Sequence, residues 1–207
     1  MFAAKNSLEN SQSTPIVLAS TSRYRAELLS RLQFPFTICA PECDESRMPG
    51  ERCEHTALRI AIAKAQAAAK KLHLQSGLVI GSDQVADLNG QPLGKPGTRQ
   101  NAVHQLTQMR GQTVLFHTGV ALLNAKTHHI QSMVVLTTVQ MRNYSDAAIT
   151  YYLEHENALD CAGSAKSEGL GAALIMSMRS DDPTALIGLP LLALISMLSH
   201  EGFEVLR

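Results

Sequence analysis

The chain has 207 residues, 45% of them hydrophobic and 4% aromatic, and its 18 lysines and arginines balance its 18 aspartates and glutamates. This length is typical of a single domain with one substantial core. A formal net charge of zero excludes the strong basic field that holds a long nucleic acid by counterion release, so we expect no polymeric nucleic acid among its partners.

Residues 1–14 are rich in serine, asparagine and glutamine and lack the apolar core of a secretory signal. We therefore expect a disordered tail at 1–14 and a single domain over 15–207. The four cysteines show no paired C-x-x-C spacing, which indicates reduced thiols and a cytoplasmic protein. The uncharged segment 184–198 is shorter than the ~20 residues that a bilayer requires, and Gly188 and Pro190 interrupt it, so we expect a buried helix and no membrane contact.

The first predicted strand, at residues 16–19, leads through Ser20-Thr21-Ser22 into a helix predicted over 23–32. Ser22 is a plausible N-cap for this helix. A strand followed by a hydroxyl-capped helix start is a place where a phosphate group would bind.

The remaining elements alternate irregularly, which favours a mixed sheet flanked by helices over a strictly parallel one. Asn89-Gly90 is a hairpin turn signal, and a polar turn around 126–128 should join two antiparallel strands. An acidic turn spans 41–50. The predicted extended segments are 34–40, 78–85, 114–124, 130–142 and 172–178, and the further helices are 51–72, 98–109, 145–154 and one that begins near Pro190.

Asp83 follows a short apolar run, where an unpaired carboxylate would be costly. It could cap a turn at the strand end, or it could hold a metal or activate water. The acidic turn supplies the hard oxygen ligands that magnesium prefers, from Glu42, Asp44 and Glu45. The combination favours the functional interpretation.

Three cations accompany these acids: Arg25, Lys64 and Lys95. Each alone could be an ordinary surface residue or a lysine that extends past an apolar face. Together they would offset the charge of a triphosphate and of its transition state. The sequence contains no G-x-x-x-x-G-K-[ST], G-x-S-x-G or H-E-x-x-H pattern, which weakens P-loop, serine-hydrolase and zinc-protease interpretations.

Eight short motifs resemble, in order, those of the Maf family of nucleoside triphosphate pyrophosphatases. This resemblance implies an α/β fold with a mixed central sheet flanked by helices and a cleft between two lobes, similar to inosine triphosphate pyrophosphatases. It also implies a divalent metal, Mg²⁺ or Mn²⁺, and a homodimer. The motifs are Leu18-Ala19-Ser20-Thr21-Ser22, Glu27-Leu28-Leu29, Ala40-Pro41-Glu42-Cys43-Asp44-Glu45, Ala63-Lys64-Ala65, Gly81-Ser82-Asp83-Gln84, Gly94-Lys95-Pro96, Gly119-Val120-Ala121 and Gly188-Leu189-Pro190.

The resemblance implies a role for each motif residue in cleaving the bond between the α and β phosphates. Asp83 is implied to be the proton acceptor that activates water, and Glu42 with Asp83 is implied to hold the metal. The implied phosphate contacts are Ser20, Arg25, Lys64 and Lys95.

Tyr24 replaces an arginine of the usual Ser-Pro-Arg-Arg motif, a departure that resembles one branch of the family. That branch hydrolyses 7-methyl-GTP, and Gln84 and Glu168 also resemble it. N7-methylated guanine is cationic and would stack on an aromatic ring, and a carboxylate can accept hydrogen bonds from its N1 and N2 groups. Tyr24 could instead be a core residue of its helix, because it shares apolar spacing with Leu28.

Two alternative functions remain open at this point. The first is a dTTP/UTP pyrophosphatase of the same family, which typically has different residues at the positions of Gln84 and Glu168. The second is a nucleotide-binding regulator of septum formation, a process with which Maf proteins are associated. In either case the expected partner is a nucleotide.

Overall fold

A computed structural model of the chain describes residues 14–206. The tail predicted at 1–14 falls, apart from its last residue, outside the described residues. The strands are β1 (Ile16–Ala19), β2 (Thr37–Cys39), β3 (Leu78–Leu88), β4 (Gln91–Leu93), β5 (Thr113–Asn124), β6 (Ile130–Met141) and β7 (Ile175–Ser180). The helices are α1 (Arg23–Ser30), α2 (Cys53–Lys71), α3 (Arg99–Met109), α4 (Asp146–His155) and α5 (Leu191–His200), and short 3₁₀ turns lie at Ala162–Ser164, Leu170–Leu174 and Ala185–Ile187.

Hydroxyl side chains begin three of the helices. Ser22, Thr98 and Ser145 accept hydrogen bonds from the backbone N–H groups three residues ahead, at 3.4, 3.2 and 3.2 Å. These bonds satisfy N–H groups that have no acceptor within the helix. The predicted cap at Ser22 is confirmed, although α1 ends at Ser30 and is two residues shorter than predicted.

The sheet is mixed, as predicted. Among the described residues its strand order is β2-β1-β3-β5-β6-β7, with β4 paired to β3. Strand β1 is parallel to β2 and β3, and the other pairs are antiparallel. The hairpin signal at Asn89-Gly90 joins β3 to β4, with both residues at positive φ, 55° and 82°.

Strand β3 extends beyond the predicted segment and ends at Leu88, so Asp83 lies in the middle of the strand and not at its end. This location excludes the interpretation of Asp83 as a strand-end cap. The strand continues because its second half pairs with both β4 and β5.

Helix α2 lies unusually close to one face of the sheet. A Cβ atom on Gly81 of β3 would lie 2.0 Å from the carbonyl oxygen of Ala61, and one on Gly119 of β5 would lie 2.4 Å from that of Ala57. Any side chain at either glycine would therefore displace the helix. The same face of β3 carries Asp83, two residues beyond Gly81, because side chains alternate along a strand.

The opposite face of the sheet packs against α1 and α5. Leu78 and Ile80 of β3 contact a cluster formed by leucines of both helices. A second apolar cluster joins α3 and α4 to the beginning of β5 and the end of β6. One cleft is lined by residues of both clusters, Ile187 from the first and Leu93 from the second. No helix within residues 14–206 combines the length and apolar character needed to cross a membrane.

Candidate active site

The cleft has a volume of about 730 Å³. Its walls come from segments that are far apart in sequence: the β1–α1 turn, residues 41–47, one face of α2, the middle of β3, residues 160–168 and the turn at 186–188. Most of the residues singled out from the sequence line this one cavity.

A buried lysine lies at the centre of the site. Lys64 is 6% exposed, and its Nζ lies 2.8 Å from Oδ1 of Asp83 and 2.8 Å from Oε2 of Glu45. An ammonium group in this setting would be costly without partners, and the two carboxylates supply them. Because α2 approaches the sheet so closely at Gly81, the lysine side chain reaches Asp83 directly.

These two carboxylates converge from different elements, Asp83 from β3 and Glu45 from the irregular segment 41–52. Within residues 14–206, Oδ2 of Asp83 and Oε1 of Glu45 have no hydrogen-bonding partner, and no three His, Cys, Asp or Glu side chains form a complete metal-binding group. Each carboxylate thus keeps one oxygen of the hard type that binds a cation together with substrate phosphates and water.

Arg25 places a second cation near this group. Its Nε donates to the backbone carbonyl of Gly188 at 2.8 Å, and its Nη1 donates to Oγ of Ser20 at 3.4 Å. Burial lowers the pKa of the guanidinium, and Asp83 and Glu45 oppose this shift. Arginine remains charged under these conditions, so Arg25 offers fixed positive charge to an anion in the cleft.

The glycine at 188 connects several parts of the site. Its carbonyl accepts hydrogen bonds from Arg25 and from the buried hydroxyl of Ser82, at 2.8 and 2.9 Å. The side-chain amide of Gln84 donates to the carbonyls of Ala185 and Leu186, at 2.9 and 3.0 Å. Ser82 and Gln84 therefore fix the turn that orients Arg25.

Two further predicted phosphate contacts, Ser20 and Lys95, line the cleft. The amide of Ser22 donates to Oγ of Ser20 at 3.1 Å, which shapes the turn that precedes α1. Lys95 is exposed on the cleft wall, and in the described part of the chain no carboxylate pairs with it. Lys95 is therefore free to contact an anionic ligand.

Tyr24 lies on the cleft wall and is half-buried, so it is not a core residue of α1. The hydroxyl of Tyr24 donates to Oδ1 of Asp160 at 3.4 Å, and the guanidinium of Arg23 lies 4.8 Å from the ring centroid. The exposed side chain of Glu168 lines the same cavity. An aromatic ring and an accessible carboxylate therefore share the part of the cleft that contains Asp160.

Comparison with known proteins agrees with this arrangement. A family model described as Maf-like protein matches residues 15–201. The chain belongs to the Maf family. The match spans all the elements that line the cleft.

Several curated Maf-family relatives are similar to this chain over nearly its whole length. A protein of Methylobacillus flagellatus is 54% identical over 192 residues, which cover 93% of this chain and 99% of the relative. One from Thiobacillus denitrificans is 54% identical over 94% of this chain and 96% of the relative. One from Chromobacterium violaceum is 52% identical over 93% of this chain and 99% of the relative. Each of the three is named 7-methyl-GTP pyrophosphatase.

Glu42, the predicted metal ligand, does not lie beside Asp83 and Lys64 in the structure. The side chain of Glu42 is 79% exposed and pairs with Lys71 at the end of α2. Glu45 contacts Lys64 instead. The segment between β2 and α2 is irregular, so its sequence spacing does not reveal which acid faces the cleft.

The segment between β2 and α2 is held in place by an ion pair that the sequence analysis missed. Glu51 accepts hydrogen bonds from Nε and Nη2 of Arg59 at 2.7 and 2.8 Å, and from the hydroxyl of Thr56 at 2.9 Å. Arg59 also donates to the carbonyl of Ser46 at 2.9 Å, next to Glu45. Glu51 and Arg59 are eight residues apart, a spacing too long for a local helical pair and therefore without a clear sequence signal.

We predict that Glu51→Gln lowers the free energy of unfolding by about 1.5 to 3 kcal/mol at neutral pH, the size of a hydrogen bond to a charged group. The hydrogen bonds from Arg59 lower the pKa of Glu51 from 4.5 to about 2. A lowered folded-state pKa stabilises the fold above the unfolded-state value and loses this effect as the pH falls toward the folded-state value. The difference between wild type and variant should thus shrink between about pH 4.5 and 2.

Urea denaturation at a series of pH values measures this difference. Glu54→Gln is the control, because Glu54 in the first turn of α2 pairs with the exposed Arg52 just before the helix and should contribute little. A Glu51→Gln effect no larger than that of the control would contradict the assignment.

Proposed function

We propose that this chain hydrolyses 7-methyl-GTP to 7-methyl-GMP and diphosphate. The observation that carries the proposal is the single cleft that combines the Asp83–Lys64–Glu45 group with Tyr24 and Glu168. The Asp83–Lys64–Glu45 group has the charges needed for hydrolysis at a phosphate, and Tyr24 with Glu168 can bind a cationic purine. The names of the curated relatives support the same substrate.

In the proposed reaction, Asp83 accepts a proton from the attacking water. The oxygen of that water forms a bond to the α-phosphorus, the bridging bond between the α and β phosphates breaks, and diphosphate leaves. The ion pair with Lys64 fixes Oδ1 of Asp83 and leaves Oδ2 without a protein partner, available to the reacting groups. Arg25, Lys64 and Lys95 stabilise the charge that develops on the phosphate oxygens, and Ser20 contacts the same phosphates.

The proposed cofactor is a divalent cation, Mg²⁺ or Mn²⁺, held by Glu45 and Asp83. Glu45 takes the role that the family resemblance implies for Glu42, because Glu45 lies in the cleft beside Lys64. When bound, such a cation offsets the phosphate charge and polarises the phosphoryl group.

Tyr24, Glu168 and Gln84 make up the proposed specificity group. The ring of Tyr24 stacks on the methylated base, and Glu168 accepts hydrogen bonds from the guanine edge. Gln84 acts through the turn at 185–188, because its amide nitrogen already binds carbonyls of that turn. The homodimer implied by the family resemblance and the cytoplasmic location indicated by the cysteines stay predictions.

We predict that 7-methyl-GTP is a better substrate than GTP, dTTP or UTP. Tyr24→Ala should lower the preference for 7-methyl-GTP over GTP by about 0.5 to 2 kcal/mol, because the stacking ring is lost. Glu168→Gln should lower it by removing charge-assisted hydrogen bonds. The measurement is kcat/KM for the four nucleotides, and equal efficiencies on 7-methyl-GTP and dTTP in the wild type would refute the substrate assignment.

Asp83→Asn should reduce turnover by roughly 10²-fold or more, as expected when a positioned general base is lost. Nucleotide binding and the folded state should be largely retained, since asparagine is nearly isosteric. Single-turnover rates and calorimetric binding separate the two effects. Normal turnover in this variant would remove Asp83 from its proposed role.

Diphosphate release should require a divalent cation, because Glu45 and Asp83 would otherwise repel a triphosphate. EDTA should abolish the activity and excess Mg²⁺ or Mn²⁺ should restore it. Glu45→Gln should raise the metal concentration needed for half-maximal activity, whereas Glu42→Gln should leave it unchanged. Full activity in excess EDTA would sink the metal proposal.

A further inference from the structure

The Tyr24 ring has two cationic neighbours. The guanidinium of Arg23 lies 4.8 Å from the ring centroid, and Nζ of Lys166 lies 5.8 Å from it. Both would repel a base that carries a positive charge. A cleft that favours a cationic base therefore needs these charges to be compensated.

Each of these cations has a carboxylate partner, but the two pairs differ in burial. Arg23 lies 3.9 Å from Asp160, and both side chains are about half exposed, so solvent screens this pair. Nζ of Lys166 lies 2.6 Å from Oε1 of Glu156, with side chains only 18% and 14% exposed. The Lys166–Glu156 pair is therefore the one whose charge balance acts strongly on the ring.

Glu156 directly follows α4 and is fixed from several sides. Its second oxygen accepts a hydrogen bond from the amide of Leu170 at 3.0 Å, and a Cβ atom on Gly169 would lie 2.2 Å from that oxygen. The hydrogen bond with Lys166 lowers the pKa of Glu156 and raises that of Lys166, so both are charged at neutral pH. The pair also holds the segment that carries Glu168.

We propose that Glu156 determines specificity by neutralising Lys166 beside Tyr24, so that the cleft favours a purine with a positive charge over the neutral purine of the same shape. With Glu156 in place, the cations Arg23 and Lys166 face three carboxylates, those of Asp160, Glu156 and Glu168. The excess negative charge attracts a cationic base. This inference rests on the proposed function, because it explains how that site would select its substrate.

The variant Glu156→Gln separates charge from shape. Glutamine keeps an oxygen that can accept from the amide of Leu170, whereas Lys166 loses its charged partner. Two cations then face only the two carboxylates of Asp160 and Glu168, so the excess negative charge near the ring is lost, and Lys166 less than 6 Å from the ring no longer has its buried partner. This change should lower the ratio of kcat/KM for 7-methyl-GTP to that for GTP by roughly 10-fold, mainly through KM for 7-methyl-GTP. The assay is run below the N1 pKa of 7-methylguanine, and the effect should weaken in high salt.

Two further variants complete the test. Adding Lys166→Met to Glu156→Gln should restore the ratio, because the free ammonium is gone. The matched control is Glu154→Gln, which removes a carboxylate two residues earlier that pairs with Arg99 at 3.4 Å outside the cleft. This control should leave the ratio unchanged.

An equal loss of efficiency on both nucleotides would overturn the proposal, since it would indicate a purely structural role, and so would an unchanged ratio. If Glu156→Gln does not fold, Lys166→Met alone decides, because the ratio should then stay or rise, and a fall would refute the proposal. Calorimetric binding of 7-methyl-GMP and GMP gives the same ratio without turnover. Failure of wild type to hydrolyse 7-methyl-GTP would therefore refute the proposed function, whereas the binding ratio would still test the role of Glu156.

Discussion

The close approach of α2 to the sheet is the constraint on which the rest of the site depends. Carbonyl groups of the helix occupy the space that a Cβ atom would need at Gly81 and Gly119. Gly81 precedes Asp83 by two residues on β3, and Gly119 lies directly opposite Asp83 on β5. Only glycine permits this distance, since even alanine would add an atom within 2.4 Å of the helix backbone. The helix thereby brings Lys64 within 2.8 Å of a carboxylate in the middle of a strand.

The other face of the sheet stabilises the same site through a single turn. Asp182, which is 2% exposed, accepts hydrogen bonds from the amides of Thr184 and Leu192 at 3.0 and 2.7 Å, and so fixes the start of α5. This places the Gly188 carbonyl where Arg25 and Ser82 both donate to it. Packing of the C-terminal helix and orientation of a cleft arginine are therefore linked.

In the proposed function, different parts of the cleft carry the reaction and the recognition of the base. Lys64 is buried and paired with both Asp83 and Glu45, an arrangement that suits the proposed reaction, because its charges must be stabilised at fixed positions. Of the proposed specificity residues, Tyr24 lies on α1 and Glu168 on the segment that follows α4, both outside the paired strands, whereas Gln84 lies in β3. Selectivity can thus vary with a few side chains while the reacting group stays unchanged.

The sequence by itself determined the local elements and much of the site. The cap at Ser22 and the hairpin at Asn89-Gly90 follow from short-range rules, and the structure contains both. The ordered motifs indicated the family, and Asp83, Lys64 and Arg25 converge as expected for parts of one site. These features depend on neighbours within a few residues, or on motifs preserved as units.

Only the tertiary structure decided which long-range partners meet. Glu42 and Glu45 are equivalent in the sequence, yet one pairs with Lys71 at the surface and the other with Lys64 in the cleft. The pairs Glu51–Arg59 and Glu156–Lys166 likewise join an irregular segment to a helix or to a second loop. Irregular backbone has no periodicity, so the direction of each side chain is set by the surfaces packed against it and not by its position in the chain.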